Sequence, residues 1–212
     1  MNGTTLSVGL YDPSKIKAGT GNGAQGELTA DESDAPRIEG ELNISLSQIS
    51  EGSNLAISGM YQEAQPTAAG KGGNEIEAHG IHVGGTLAGG PMALTAHYYD
   101  GECLGITLQM DVGAMSGDGK CRDHDGYYVQ GTYNYGAGKL GVSWGGSYQD
   151  KAGNDGASND PKKEQEMWTV GLYHNLAPEW LAVAEYSHAE ESWHDMDTGD
   201  EDGESDIFAV GM

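Results

Sequence analysis

The 212-residue chain carries 33 acidic against 10 basic side chains, a formal net charge of −23, which argues against nucleic acid as a partner because phosphate binding needs clustered Lys and Arg. Apolar residues make up only 37%, with one Phe and 35 Gly, a composition that suits strands and loops rather than helices. No run of about 18 apolar residues occurs, which excludes a transmembrane helix but not a barrel, whose strands are short and only half apolar. Such a charge either adapts a surface to high salt or gathers cations at the loops.

Alternation of apolar and polar residues predicts ten strands, at about 4–12, 36–47, 54–65, 75–88, 92–101, 126–136, 139–149, 166–175, 180–190 and 205–212. Met1-Asn2-Gly3 reads as the tip of a turn rather than the start of a signal peptide. On the second strand Ile38, Leu42, Ile44 and Leu46 fall on one side, with Arg37, Glu39, Glu41 and Asn43 on the other. The connections alternate in size. Short ones are expected at Ser47–Ser53, Gly89–Pro91, Gly136–Gly138 and Asn175–Glu179. Long ones are expected over Pro13–Ala35, Gln65–Asn74, Gly101–Asp125, Asp150–Gln165 and Glu191–Glu204. Membrane barrels segregate loop lengths in this way, with short turns at one rim and long loops at the other.

Cys103 and Cys121 lie in one of those long connections. No CxxC or Cys/His ligand set surrounds them, so zinc is not expected. An oxidising compartment would let them pinch the loop as a disulfide; otherwise they are two free thiols. The hairpin from Tyr127 to Gln149 is the clearest in the chain: Tyr127, Val129, Tyr133 and Tyr135, then Leu140, Val142, Trp144 and Tyr148, form an apolar face. Gln130, Thr132, Asn134, Ser143, Ser147 and Gln149 lie opposite, and Ala137-Gly138 is expected to make the turn. Trp144, Tyr148, Tyr127, Tyr186 and Trp168 fall near the long-loop ends, with Tyr135 and Trp180 near short turns, as two interfacial belts would. Of the basic residues only Arg37 and Lys139 sit in or beside these strands.

The run from Asp195 to Asp206 is read as a solvated acidic loop. Asp195, Asp197, Asp200 and Asp202 are hard oxygen donors, but Gly199 and Gly203 fall in the wrong places for an EF-hand. Weak loop-bound divalent cations, bridging to lipopolysaccharide phosphates, are the most expected of it; no cofactor and no metal centre is. No GxSxG, HExxH or P-loop occurs, and His188 and His194 beside Glu190 and Asp195 read as a solvated rim. No catalytic residue and no enzyme is therefore expected.

The stretches LTAHYYDGECLG (94–105), DGYYVQGTYNYGAGKLGVSWG (125–145), WTVGLYHNLAPEWLAVAEYSHA (168–189) and DIFAVGM (206–212) together resemble the Gram-negative general porins of marine and halophilic gammaproteobacteria. That resemblance implies an all-β, antiparallel up-and-down transmembrane β-barrel in the cell outer membrane. It also implies a homotrimer of about sixteen strands per barrel that passes small hydrophilic solutes by diffusion. Residues 1–212 are then one porin-type domain holding about ten of those strands, without the first strands and the last few residues. The inward constriction loop of such porins is expected outside this portion.

The pore-lining candidates are Arg37, Glu39, Glu41, His82, His97 and Glu185, together a mildly acidic wall. The lipid-facing set is Leu94, Val129, Tyr133, Leu140, Val142, Trp144, Val170 and Leu172. The competing reading is a secreted or surface β-sandwich that binds cations or ligands through its acidic loops.

Overall fold

A computed structural model describes residues 3–13, 16–17, 29–32, 35–66, 75–105, 114–116, 120–150, 162–195 and 199–212. Its strands are β1 (Thr4–Tyr11), β2 (Ile16–Lys17), β3 (Thr29–Glu32), β4 (Arg37–Ser45), β5 (Asn54–Pro66) and β6 (Ile76–Gly89). They continue as β7 (Met92–Glu102), β8 (Asp123–Asn134), β9 (Gly138–Gln149), β10 (Lys162–Ala177), β11 (Trp180–Asp195) and β12 (Gly199–Gly211). Ten of them follow one another in space, β1-β4-β5-β6-β7-β8-β9-β10-β11-β12, each antiparallel to its neighbour. β2 and β3 are short strands inside the first long connection, and β3 pairs with β5. Among the described residues β1 and β12 pair on one side only, so the sheet is open. A β-sandwich needs two facing sheets, whereas the described strands form one.

Register carries the alternation of each strand across the whole sheet. One row of paired residues runs Ser7, Glu41, Ser58, His82, Tyr99, Gly126, Ser147, Gln165 and Glu191. The row beside it runs Leu6, Leu42, Ile57, Val83, Tyr98 and Tyr127. Side chains one residue apart point to opposite faces, so the first row belongs to a polar face and the second to an apolar one. A one-residue slip in any strand would put its charges among the aliphatic side chains, which is why the pattern holds register so firmly.

The apolar face has nothing packed on it. Leu6, Val8, Val142 and Phe208 are 70%, 69%, 56% and 72% exposed. Thirty-two large hydrophobic or aromatic side chains are exposed among the described residues, whereas only seven hydrophobic residues are buried. Each apolar side chain left in water forgoes roughly 1.5–3 kcal/mol of burial, so lipid is the solvent this face requires. Tyr127 and Trp144 meet edge to face at 5.2 Å, and Trp168 and Tyr186 lie 5.2 Å apart. Beyond these rings the same face becomes acidic: Tyr61 donates to Glu63 at 2.6 Å, Tyr186 to Asp206 at 2.7 Å, and Tyr148 to Glu166. Tyrosines with buried rings and wet hydroxyls mark the outer edge of the apolar band.

The alternating connections are largely as expected, with three differences. The β8–β9 turn is one residue earlier than Ala137-Gly138: Gly136 takes φ +89°, where an L side chain is strained, and Tyr135 N donates to Gly138 O. β10 begins at Lys162, β11 runs to Asp195 and β12 starts at Gly199, so most of the acidic connection 191–204 is paired strand. Backbone ladders need no apolar side chains once a hairpin projects into water, so apolar alternation missed this extension. Lys162 and Lys163 therefore lie in a strand, not a loop, and Lys163 forms an ion pair with Glu191.

Candidate functional site

The polar face is where chemistry converges. Arg37, Glu39 and Glu41 of β4, His82 of β6, His97 of β7 and Glu185 of β11 all lie on it by register. Arg37 Nε sits 2.9 Å from Glu39 Oε1, and its guanidinium covers the Tyr11 ring at 5.4 Å from the centroid. At the other end of the sheet the Lys139 ammonium stands 5.0 Å over the Tyr173 ring, whose hydroxyl donates to Glu185. Between them Ser58 Oγ lies 3.1 Å from His82 Nδ1, and His82 Nε2 lies 2.8 Å from His97 Nδ1, the imidazoles side by side with planes 14° apart and centroids 5.0 Å apart. A Ser58 hydroxyl donating to His82 Nδ1 leaves His82 Nε2–H to donate to His97, so both rings are held as one row.

His82 thus stands between the Ser58 hydroxyl and His97, with Glu41 beside it, while Glu185 lies at the far end of the sheet. Among the described residues no group of three or more His, Cys, Asp or Glu is arranged to hold a metal ion. Asp197 of the calcium reading lies outside the described residues, and Asp195 and Asp200 end up in the β11–β12 hairpin. His188 bridges Asp206 at 2.8 Å and Glu190 at 3.0 Å on the outward face.

A Gram-negative porin family model matches residues 2–193. The chain belongs to the Gram-negative porin family. No curated protein sequence matches it. In fold it is similar to the outer membrane channel DcaP of Acinetobacter baumannii, with a TM-score of 0.63 and 9% identity over 97% of this chain. The porin chain spans 60% of the length of that structure.

The porin's polar face also carries a feature that strand patterning did not locate. Cys103 and Cys121 are joined, with Cα atoms 4.7 Å apart and a sequence separation of 18. Between them Ala114 and Met115, both fully buried, pack with Ala64, Ile76 and Ala78. Those three side chains belong to the polar-face registers of β5 and β6, so Ala114 and Met115 lie against the polar side of the sheet. Gly80 and Gly101 leave room for Leu104, whose Cδ1 would lie 2.9 and 2.8 Å from a Cβ at those positions.

His124 of β8 is 1% exposed and lies beyond the level of the aromatic rings, with Nε2 3.3 Å from Gln149 Oε1. Burial holds its imidazole below the ordinary value of 6.5. The unfolded chain around His124 therefore takes up a proton more readily than the folded one, so stability is full above about pH 6.5 and drains away as pH falls below it. Limited proteolysis of the protein should accordingly be faster at pH 5 than at pH 7.5. His124→Gln should flatten that dependence, and an unchanged pH dependence would refute the assignment.

Proposed function

We propose that this porin forms a passive outer-membrane channel for small hydrophilic solutes and ions, with the polar face of the sheet as its lumen wall. The observation that carries the reading is the consistent division of faces over ten antiparallel strands, one exposed and apolar, the other polar and charged. Lipid solvates the first and water the second. Passage by diffusion asks nothing of the wall beyond width and field, so no catalytic group is required, and no cofactor.

The wall is mildly acidic. Glu39 compensates Arg37 and Glu191 compensates Lys163. Glu41 then stands beside His82, and Glu185 holds the Tyr173 hydroxyl. Cations are the favoured permeants. Further strands, supplied by a longer chain, close the gap between β1 and β12, and a trimer is the assembly implied for such a barrel. The outward carboxylates beyond the aromatic rings face lipopolysaccharide phosphates through weakly held divalent cations. The Cys103–Cys121 bridge suits an oxidising compartment outside the cytoplasm.

Planar-bilayer recording of the whole protein tests the channel: stepwise KCl conductance is expected, and its absence would refute the reading. In a KCl gradient Glu41→Lys should lower the cation-to-anion permeability ratio about twofold to fivefold, the size expected when one wall charge reverses in a water-filled passage. An unmoved reversal potential would remove Glu41 from the wall.

A further inference from the structure

Three polar-face rings lie across glycines of the neighbouring strand. His97 pairs with Gly84, Tyr99 with Gly126 and Tyr128 with Gly145. In each case a Cβ on the glycine would meet the ring: at 3.3 Å for Tyr128 Cδ2, and closer still for Tyr99 and His97. Tyr99 crosses the whole of β8 above Gly126, and its hydroxyl donates to Ser147 of β9 at 3.0 Å. The His97 and Tyr128 centroids are 6.3 Å apart, and the side-by-side His82–His97 pair extends the patch onto β6. With bare backbone beneath them the rings lie down on the wall, so they turn faces rather than edges toward the lumen.

A groove of about 660 Å³ opens over this patch. Its remaining polar-face lining includes Ser143, Ser147 and Gln165, hydroxyls and an amide without charge. The one acidic side chain of that face in the groove, Glu191, is tied to Lys163. Flat aromatic faces bordered by neutral donors and acceptors match a ligand with apolar ring faces and a rim of hydroxyls. A pyranose sugar has that form: C–H groups on its faces and hydroxyls around its edge. An organic cation would want a free carboxylate beside the rings, and Glu191 is already compensated.

We propose that His97, Tyr99 and Tyr128 form a sugar-binding platform on the lumen wall, seated on Gly84, Gly126 and Gly145, which selects pyranosides among the solutes that pass. The proposal rests on the channel reading. The rings are held before a solute arrives, Tyr99 by its bond to Ser147 and His97 by its hydrogen bond with His82, so little ordering is left for the sugar to impose.

The test uses the whole protein in planar bilayers, with KCl current recorded first and maltose then added. Saturable, concentration-dependent current block by maltose is expected. Tyr128→Ala should raise the half-blocking concentration roughly tenfold, the size of one stacked ring, while Tyr128→Phe should stay close to the parent. KCl conductance reports that each variant has inserted. Tyr99→Ala, which removes the ring over Gly126, should weaken block with Tyr128 left in place. A conductance that maltose lowers only linearly, or block that is equally strong in Tyr128→Ala, would overturn the platform. Block by tetraethylammonium in place of maltose would overturn the sugar assignment in favour of an organic cation. Absence of KCl current from the parent protein would instead overturn the channel itself.

Discussion

Val142→Arg is expected to abolish assembly of the protein in the outer membrane. Val142 pairs with Gly131 on one side and Val170 on the other, and is 56% exposed on the apolar face. Trp144 lies two residues toward the long-loop rim and Leu140 two residues toward the short turns, so position 142 sits well inside the apolar band. An Arg at mid-bilayer costs about 2–4 kcal/mol, a large share of the 5–15 kcal/mol that separates folded from unfolded domains. Thr132→Arg is the matched control, because Thr132 pairs with Ala93 and Gly141 on the polar face and its charge would meet water. Membrane fractionation with a heat-modifiability gel should find Thr132→Arg folded and Val142→Arg missing from the folded band. Equal amounts of both would reverse the assignment of faces.

Met115→Asp is expected to release the 103–121 connection from the wall and raise single-channel conductance. Met115 is fully buried against Ala64, Ile76 and Ala78. A carboxylate there loses its hydration among Ala64, Ile76 and Ala78, a penalty of several kcal/mol for a buried charge. The bridge from Cys103 to Cys121 would still tether the segment. Closing a loop of that length contributes roughly 3 kcal/mol by the chain-entropy account. Cys103→Ser with Cys121→Ser should therefore loosen the segment as well, and the triple variant most of all. Conductance steps and trypsin sensitivity of the connection read the same release by independent means. Steps of parental size alongside increased cleavage would mean that the segment moves but does not narrow the passage.

The two faces were legible because alternation is local. Leu140, Val142 and Trp144 on one side and Ser143 and Ser147 on the other are assigned by counting residues along one strand. Register then does no more than align those assignments, and it brings Arg37, Glu39, Glu41, His82, His97 and Glu185 to a common face. The same reasoning could have found Ser58, Tyr99, Tyr128 and Tyr173, which share that parity, had uncharged residues been followed as closely as charged ones.

Pairing across strands, by contrast, leaves little trace in any one of them. The acidic run 195–206 has no apolar side, yet most of it is strand because β11 offers it a ladder of backbone partners. Met115 gives no sign that its neighbours will be Ala64, Ile76 and Ala78, about 40 to 50 residues earlier in the chain. A tyrosine lies flat or stands upright according to whether a glycine sits opposite on another strand, as Gly126 does for Tyr99. Sequence alone thus determined the strands, their faces and the solvent each face requires, since these follow from the two-residue period of a single strand. Tertiary structure decided how far the hairpins extend, where Ala114 and Met115 pack and which rings lie flat on the polar face, since each depends on partners far away in the chain.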